Sequence, residues 1–169
     1  MSNISIIDYE PKHQSYFEAL NRAWIEKYFE MEKRDVEALT RPDETIIKKG
    51  GAILMAEYDG VIAGTVALKK VDDTTYEFTK MAVDENFRRR GIAEALSYAS
   101  FRKAKQLGAK TIILYSNSIL RPAITMYEKI GFRHVPVKDS GYIRSDVKMM
   151  ITMETALHSA DNFYLPVKT

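Results

Sequence analysis

Between residues 76 and 93 the chain reads Tyr-Glu-Phe-Thr-Lys-Met-Ala-Val-Asp-Glu-Asn-Phe-Arg-Arg-Arg-Gly-Ile-Ala. Aromatic and β-branched residues give way to a polar turn, and Gly91 stands at the mouth of a run with helical periodicity. A strand that feeds a helix through so short a turn points to a layered α/β fold. A helix mouth carries unpaired N–H groups and a positive dipole end, and Arg88, Arg89 and Arg90 add charge there. Gly91 removes a side chain where backbone comes close to a ligand. The anion that suits this arrangement is a phosphate or pyrophosphate.

The rest of the chain supplies the layers. Residues 4–8 suggest a first strand, and Pro11 opens a helix with Phe17, Leu20, Ala23 and Trp24 on one face. Shorter helical pieces are expected within 33–39 and 44–49. Residues 52–58 and 61–70 are strand-like and joined by Asp59-Gly60, a strong hairpin signal because both positions tolerate positive φ. A third meander strand covers 74–83. A central helix spans 91–107, with Ile92, Leu96, Ala99, Ala104 and Leu107 near one face and Gly108 as its stop. Then come a buried strand at 111–115, a helix with Pro122 in its first turn, and strands at 132–137 and 147–153 around a turn at 139–144. The order β-α-α-β-β-β-α-β-α-β-β is mixed α/β.

Two familiar phosphate loops are absent. No Gly-x-x-x-x-Gly-Lys-Ser/Thr exists, and Arg-Gly-Ile-Ala-Glu-Ala does not supply Gly-x-Gly-x-x-Gly. What does fit is Arg/Gln-x-x-Gly-x-Gly/Ala, filled by Arg88, Gly91 and Ala93. That pattern resembles the acetyl-CoA pyrophosphate loop of the GNAT superfamily of acyl-CoA N-acyltransferases. A second segment is similar to the superfamily's other cofactor motif, through Asn117, Ala123, Tyr127, Glu128, Lys129, Gly131 and Phe132. It follows the first by one helix and one strand. The resemblance covers residues 53–132 closely and the N-terminal part loosely; the stretch from about 153 is not covered. It implies a central mixed sheet of about seven strands, an antiparallel N-terminal meander and helices on both faces. It divides a single domain into an N-terminal strand with acceptor-side helices (1–52), a cofactor core (53–132), a C-terminal hairpin (133–153) and a tail (154–169).

Composition narrows the chemistry. Zero cysteines exclude disulfides, thiolate metal sites and a cysteinyl acyl-enzyme, and they fit a reducing, cytoplasmic setting. His13, His134 and His158 show no ligand spacing, so no metal is expected. A net charge of +2 is too small to argue for nucleic acid, and no apolar run is long enough to span a bilayer.

The resemblance implies acetyl transfer from acetyl-CoA to a primary amine. The turn at 88–93, Ile92 included, would hold the pyrophosphate. Backbone groups of Met81, Ala82 and Val83 would meet the pantetheine arm, with Asn117 hydrogen-bonding it and Ala123 beside it. Strict alternation puts Glu77, Thr79, Met81 and Val83 on one strand face, with Phe78, Lys80 and Ala82 on the other. An alkylamine is protonated at neutral pH, so a base is needed. Glu77 is the candidate, with Glu26, Glu30, Glu32 and Glu57 as competing carboxylates. Tyr127 matches the family's general acid, a phenol able to protonate the leaving thiolate. Trp24, Glu26 and Tyr28 could form one acceptor wall, and Tyr142, Arg144 and Asp146 the other. Glutamate suits an amine and Arg144 a carboxylate on the same acceptor, a small-molecule, amino-acid-like or peptidyl amine. The runner-up is a non-catalytic acyl-CoA-binding regulatory module. The apolar run at 163–167 is expected to favour a homodimer.

Overall fold

The computed structural model describes residues 3–138 and 141–163. Seven strands form one sheet: β1 (Ile4–Asp8), β2 (Ala52–Tyr58), β3 (Val61–Lys70), β4 (Thr75–Val83), β5 (Thr111–Ser116), β6 (Arg133–Val135) and β7 (Val147–Thr152). Their spatial order is β1-β2-β3-β4-β5-β7-β6. The first four strands are an antiparallel meander. The Asp59-Gly60 hairpin has positive φ at both residues, as its two-residue length requires. α1 (Gln14–Tyr28) and α2 (Lys33–Thr40) lie between β1 and β2, α3 (Ile92–Gln106) links β4 to β5, and α4 (Arg121–Ile130) follows β5. The mixed α/β order and the seven-stranded sheet agree with the sequence.

Both faces of the sheet are covered, so β2 is buried on both sides. Ile53 and Met55 pack with Phe17, Ile25, Leu39 and Ile46 from the α1–α2 layer. Leu54 and Ala56 point the other way and join Leu96, Phe101 and Ile130 from α3 and α4. Among the described residues no helix is long and apolar enough to cross a membrane.

Two irregularities shape the centre. β4 and β5 are parallel and pair only at Thr75–Thr111, Tyr76–Ile112 and Glu77–Ile113. Beyond Glu77 the strands part. β4 also carries a bulge: Ala67 opposes Thr79 while Thr65 opposes Ala82, so β4 uses one extra residue. Lys80 sits there with φ +55, a left-handed backbone rare for a side-chain-bearing residue.

The bulge corrects the expected alternation. Directly paired residues share a face, so Glu77, Thr79 and Ala82 lie with Lys69, Ala67 and Thr65 on the α1–α2 side. Phe78 and Val83 lie with Leu68 and Gly64 on the α3 side, where Gly64 leaves room for Ile92 and Leu96. The extra residue moves Met81 and Val83 off the face of Glu77.

The α1 stripe is also rotated from expectation. Phe17, Asn21 and Ile25 are its buried line, and Ala23 is exposed. Asn21 is tolerated inside because it donates to the Phe17 carbonyl at 3.0 Å and accepts from Trp24 Nε1 at 3.1 Å. The stretch expected to be a tail opens with a helix, α5 (Met153–Asp161), whose first turn is capped by Thr152. Residues 139 and 140 of the expected turn and 164–167 of the apolar tail lie outside the described residues. Phe163 stacks on Tyr98 at 4.3 Å.

Candidate active site

Where β4 and β5 part, a cleft of about 380 Å³ opens between them. One side of β4 hydrogen-bonds to β3; past Glu77 the other side has no β5 neighbour in register. Its backbone groups there suit an extended arm bearing amides, which could add as a strand. Met81, Ala82 and Val83 line this stretch.

The loop at one end is built locally. Asp84 caps the short turn Glu85–Phe87 by accepting from the Asn86 N–H. Arg89 has φ +61 and Gly91 φ +80 as the chain swings into α3. Apart from its chain neighbours, no atom of the described residues lies within 4 Å of where a Gly91 Cβ would be, so the need for glycine there is conformational. Arg88 and Ala93 line the cleft. Arg90 turns away and lies over the rings of Tyr58 and Phe87, at 4.8 and 5.3 Å. The Ile92 side chain is buried in the core, so only its backbone N–H at the helix mouth could meet a ligand. Neither Arg89 nor Gly91 lines the cleft.

Glu77 and Tyr127 both line it. Glu77 is 7% exposed. Burial pushes its carboxyl above the usual range, while Lys69, Lys80 and a hydrogen bond with Thr79 pull the other way. Burial pushes the Tyr127 phenol up to about 12. Its ring meets Phe78 and Phe132 edge-on, at 5.7 and 6.0 Å. These contacts fix the direction of the hydroxyl, and the phenol stays protonated at any ordinary pH.

Ala123 lines the cleft near Tyr127, one turn away on α4. Asn117 lines it as well, but its side chain is already engaged. Its amide donates to the Arg144 carbonyl, and its oxygen accepts from the Ile119 N–H at 3.0 Å. Its first task is to pin the loop before β7. Asp146 does similar work by accepting from the Ser118 N–H and hydroxyl at 2.8 and 2.7 Å.

The acceptor-side wall differs from its expected form. Trp24 and Tyr28 line the cleft, joined by Phe29. Glu26 does not: it is exposed and pairs with Arg22 at 3.2 Å. Two residues along a helix is a rotation of roughly 200°, so a face that presents Trp24 and Tyr28 turns Glu26 away. Glu30 and Glu57 also lie outside the cleft.

Tyr142 and Arg144 form the opposite wall. Arg144 is not free to take a carboxylate. Nη1 donates to Asp35 Oδ2 at 2.6 Å and Nη2 to Oδ1 at 2.8 Å, a bidentate pair. Nη1 also reaches Glu32 at 3.2 Å. Lys80 Nζ donates to Asp35 Oδ1 at 2.7 Å. Asp35 is fully buried, and burial alone would raise its pKa, but Arg144 and Lys80 override this and hold it well below the usual carboxylate range. The lysine at the β4 bulge is thereby tied to α2 and to the loop before β7. Sequence reasoning missed Asp35, Lys80 and Phe29. The one local signal was Glu32-x-x-Asp35, a capping box in which Glu32 N–H donates to Asp35 at 3.0 Å.

Known proteins resemble this chain in sequence and in fold. Human N-acetylaspartate synthetase is 33% identical over 91 residues, which cover 53% of this chain and 30% of that protein. The chain thus spans about three tenths of the length of that relative. A GNAT-family acetyltransferase from Staphylococcus aureus Mu50 superposes with a TM-score of 0.80 at 19% identity, covering 89% of this chain and 99% of that one. YncA of Salmonella typhimurium, solved with its cofactor acetyl-CoA, gives a TM-score of 0.72 at 14% identity, covering 89% and 94%. At such identities the two structures share the fold alone. The profile of the acetyltransferase (GNAT) family matches residues 13–132, and with the split sheet and the glycine-opened helix that match places this chain in the GNAT family.

Proposed function

We propose that the chain is an acetyl-CoA-dependent N-acetyltransferase that acts on a primary amine by direct attack in a ternary complex. The observation that carries this reading is the convergence of Glu77 and Tyr127 on one cleft at the parting of β4 and β5. Acetyl-CoA supplies the activated thioester. The α3 mouth and Arg88 hold its diphosphate, and the unpaired edge of β4 holds its amide-bearing arm. Glu77 takes a proton from the ammonium form of the acceptor, directly or through water. Its raised pKa makes it a stronger base than an exposed glutamate. The neutral amine forms the C–N bond as the C–S bond breaks; Tyr127 gives its proton to the departing sulfur, and the second proton shed by the new amide nitrogen restores the phenol, directly or through water.

Thiol release from acetyl-CoA with a panel of amines, confirmed by product mass, tests the reading. CoA binding without thiol release from any amine would favour a regulatory acyl-CoA-binding module instead. We also expect a homodimer, as in many proteins of this family; a monomer in sedimentation velocity at micromolar concentration rejects it.

A further inference from the structure

Beside the candidate active site, on the α1–α2 side of the sheet, lies a second cavity of about 240 Å³. Arg34 from α2, Lys49 after the Asp43–Ile47 turn and Lys69 from β3 line it. Among its described lining residues Glu37 is the one carboxylate. Lys80 lines it too, but its charge is met by Asp35 at 2.7 Å. Arg34, Lys49 and Lys69 form no ion pair with a described residue, on a chain whose net charge is only +2.

The two cavities adjoin. Thr79, Lys80 and Tyr142 line both. Glu77 opens on the first cavity and Lys69 on the second, and the two residues are paired across β3 and β4. Such partners sit about 5 Å apart between Cα atoms. A carboxylate able to take an ammonium proton therefore stands one small molecule's width from a cationic pocket. Lys69 is half-buried, and its pKa is lowered by burial and by the charges of Arg34, Lys49 and Lys80, with Glu77 opposing. A bound anion would relieve that repulsion.

We propose that the acceptor is a small primary amine bearing an anionic group, with its amine at Glu77 and its carboxylate or phosphate in the Arg34–Lys49–Lys69 pocket. This rests on the acetyl-transfer reading above. It replaces Arg144, whose terminal nitrogens are held by Asp35, as the receptor for the acid. It also disfavours polyamines, whose second cation would enter a pocket of like charge.

The test compares aspartate, aspartate diamide, O-phosphoserine and spermidine as acceptors. It uses wild type, the double variant Arg34→Gln/Lys49→Gln and Lys69→Met. Arg34 and Lys49 are exposed, so the double variant keeps its fold. The anionic amines should be preferred. The double variant should raise their KM about ten-fold or more, the scale of one lost charge-assisted hydrogen bond, and leave acetyl-CoA KM unchanged. The relative kcat/KM for aspartate and O-phosphoserine tells carboxylate from phosphate. Preference for spermidine, or equal turnover of aspartate and its diamide in all three proteins, overturns the pocket assignment and leaves acetyl transfer standing. Calorimetry with succinate and inorganic phosphate needs no turnover. Binding to wild type that is lost in the double variant, with no thiol release from any amine, overturns acetyl transfer and leaves the anion pocket standing.

Discussion

The two ends of the cleft are made in opposite ways. The loop before α3 is continuous: one carboxylate cap at Asp84 and two left-handed residues, Arg89 and Gly91, aim the helix mouth. The acceptor wall is assembled from far apart. Asp35 is 45 positions from Lys80 and 109 from Arg144. Backbone conformation holds the first, and buried charge holds the second. A local device can fail alone, while a long-range one carries the surrounding packing with it.

That contrast can be broken first at Asp35. Asp35→Ala leaves Lys80 charged and unpaired in a buried place and Arg144 with only its longer contact to Glu32, a loss of about 3–5 kcal/mol. Urea unfolding reads it, and a loss under 1 kcal/mol would mean that the clasp is incidental. The pH dependence has a definite sign. The Asp35 pKa is depressed in the folded chain, so its stabilisation is present above about 3.8 and drains away as the pH falls below it.

Tyr127→Phe comes next. It keeps the ring packing and deletes the donor, so kcat should fall about 10²–10⁴-fold with acetyl-CoA KM little changed. An unchanged kcat removes Tyr127 from the chemistry.

Gly91→Ala tests the loop. With open space at Cβ, the cost is conformational, about 1–2 kcal/mol for an L residue held at positive φ. If the loop deforms to avoid that strain, CoA affinity should drop about ten-fold while urea stability stays near wild type. Equal CoA affinity in calorimetry, with urea stability also unchanged, would separate the loop from the cofactor.

Glu77→Gln should lower activity yet raise stability at neutral pH. The Glu77 pKa is raised in the folded chain, so its ionisation costs stability as the pH rises above about 4.5. The glutamine variant escapes that cost, and its Tm should exceed wild type at neutral pH and converge with it in acid. Its kcat/KM defect should shrink toward high pH, where the amine is already neutral. Superimposable pH–rate profiles would move the role of base to another group.

The smallest effect belongs to Glu94 and Lys129, an exposed pair at 3.2 Å joining α3 to α4. Glu94→Gln should change stability by less than about 1 kcal/mol.

Legibility follows the same division. The 88–93 turn, the Asp59-Gly60 hairpin and the Pro122 helix start could be read because neighbouring residues determine them. The β4 bulge could not, since residues 78–82 carry no glycine and no break in pattern to mark it. The carboxylate that meets Lys80 at the bulge comes from α2. Strict alternation therefore misplaced Met81 and Val83. Glu26 was misplaced on the wall because the buried line of α1 runs through Phe17, Asn21 and Ile25, and Asn21 is a polar residue that satisfies itself inside. Arg144 was found as a wall residue, but its partner was not, since nothing near either residue names the other.

The three-pair seam between β4 and β5 also bears on how the molecule breathes. Backbone bonding binds β1–β4 into one ribbon and β5–β7–β6 into another, and the ribbons meet at three positions. Across the opening, cohesion must come from side chains: those of α3 and α4 on one face and the Asp35 clasp of Lys80 and Arg144 on the other. Amides of β4 that face the opening are internal in position but frayed in protection. They should exchange with solvent deuterium faster than their neighbours facing β3 and slow sharply when CoA is added, which makes the interior of this sheet a reporter of its own occupancy.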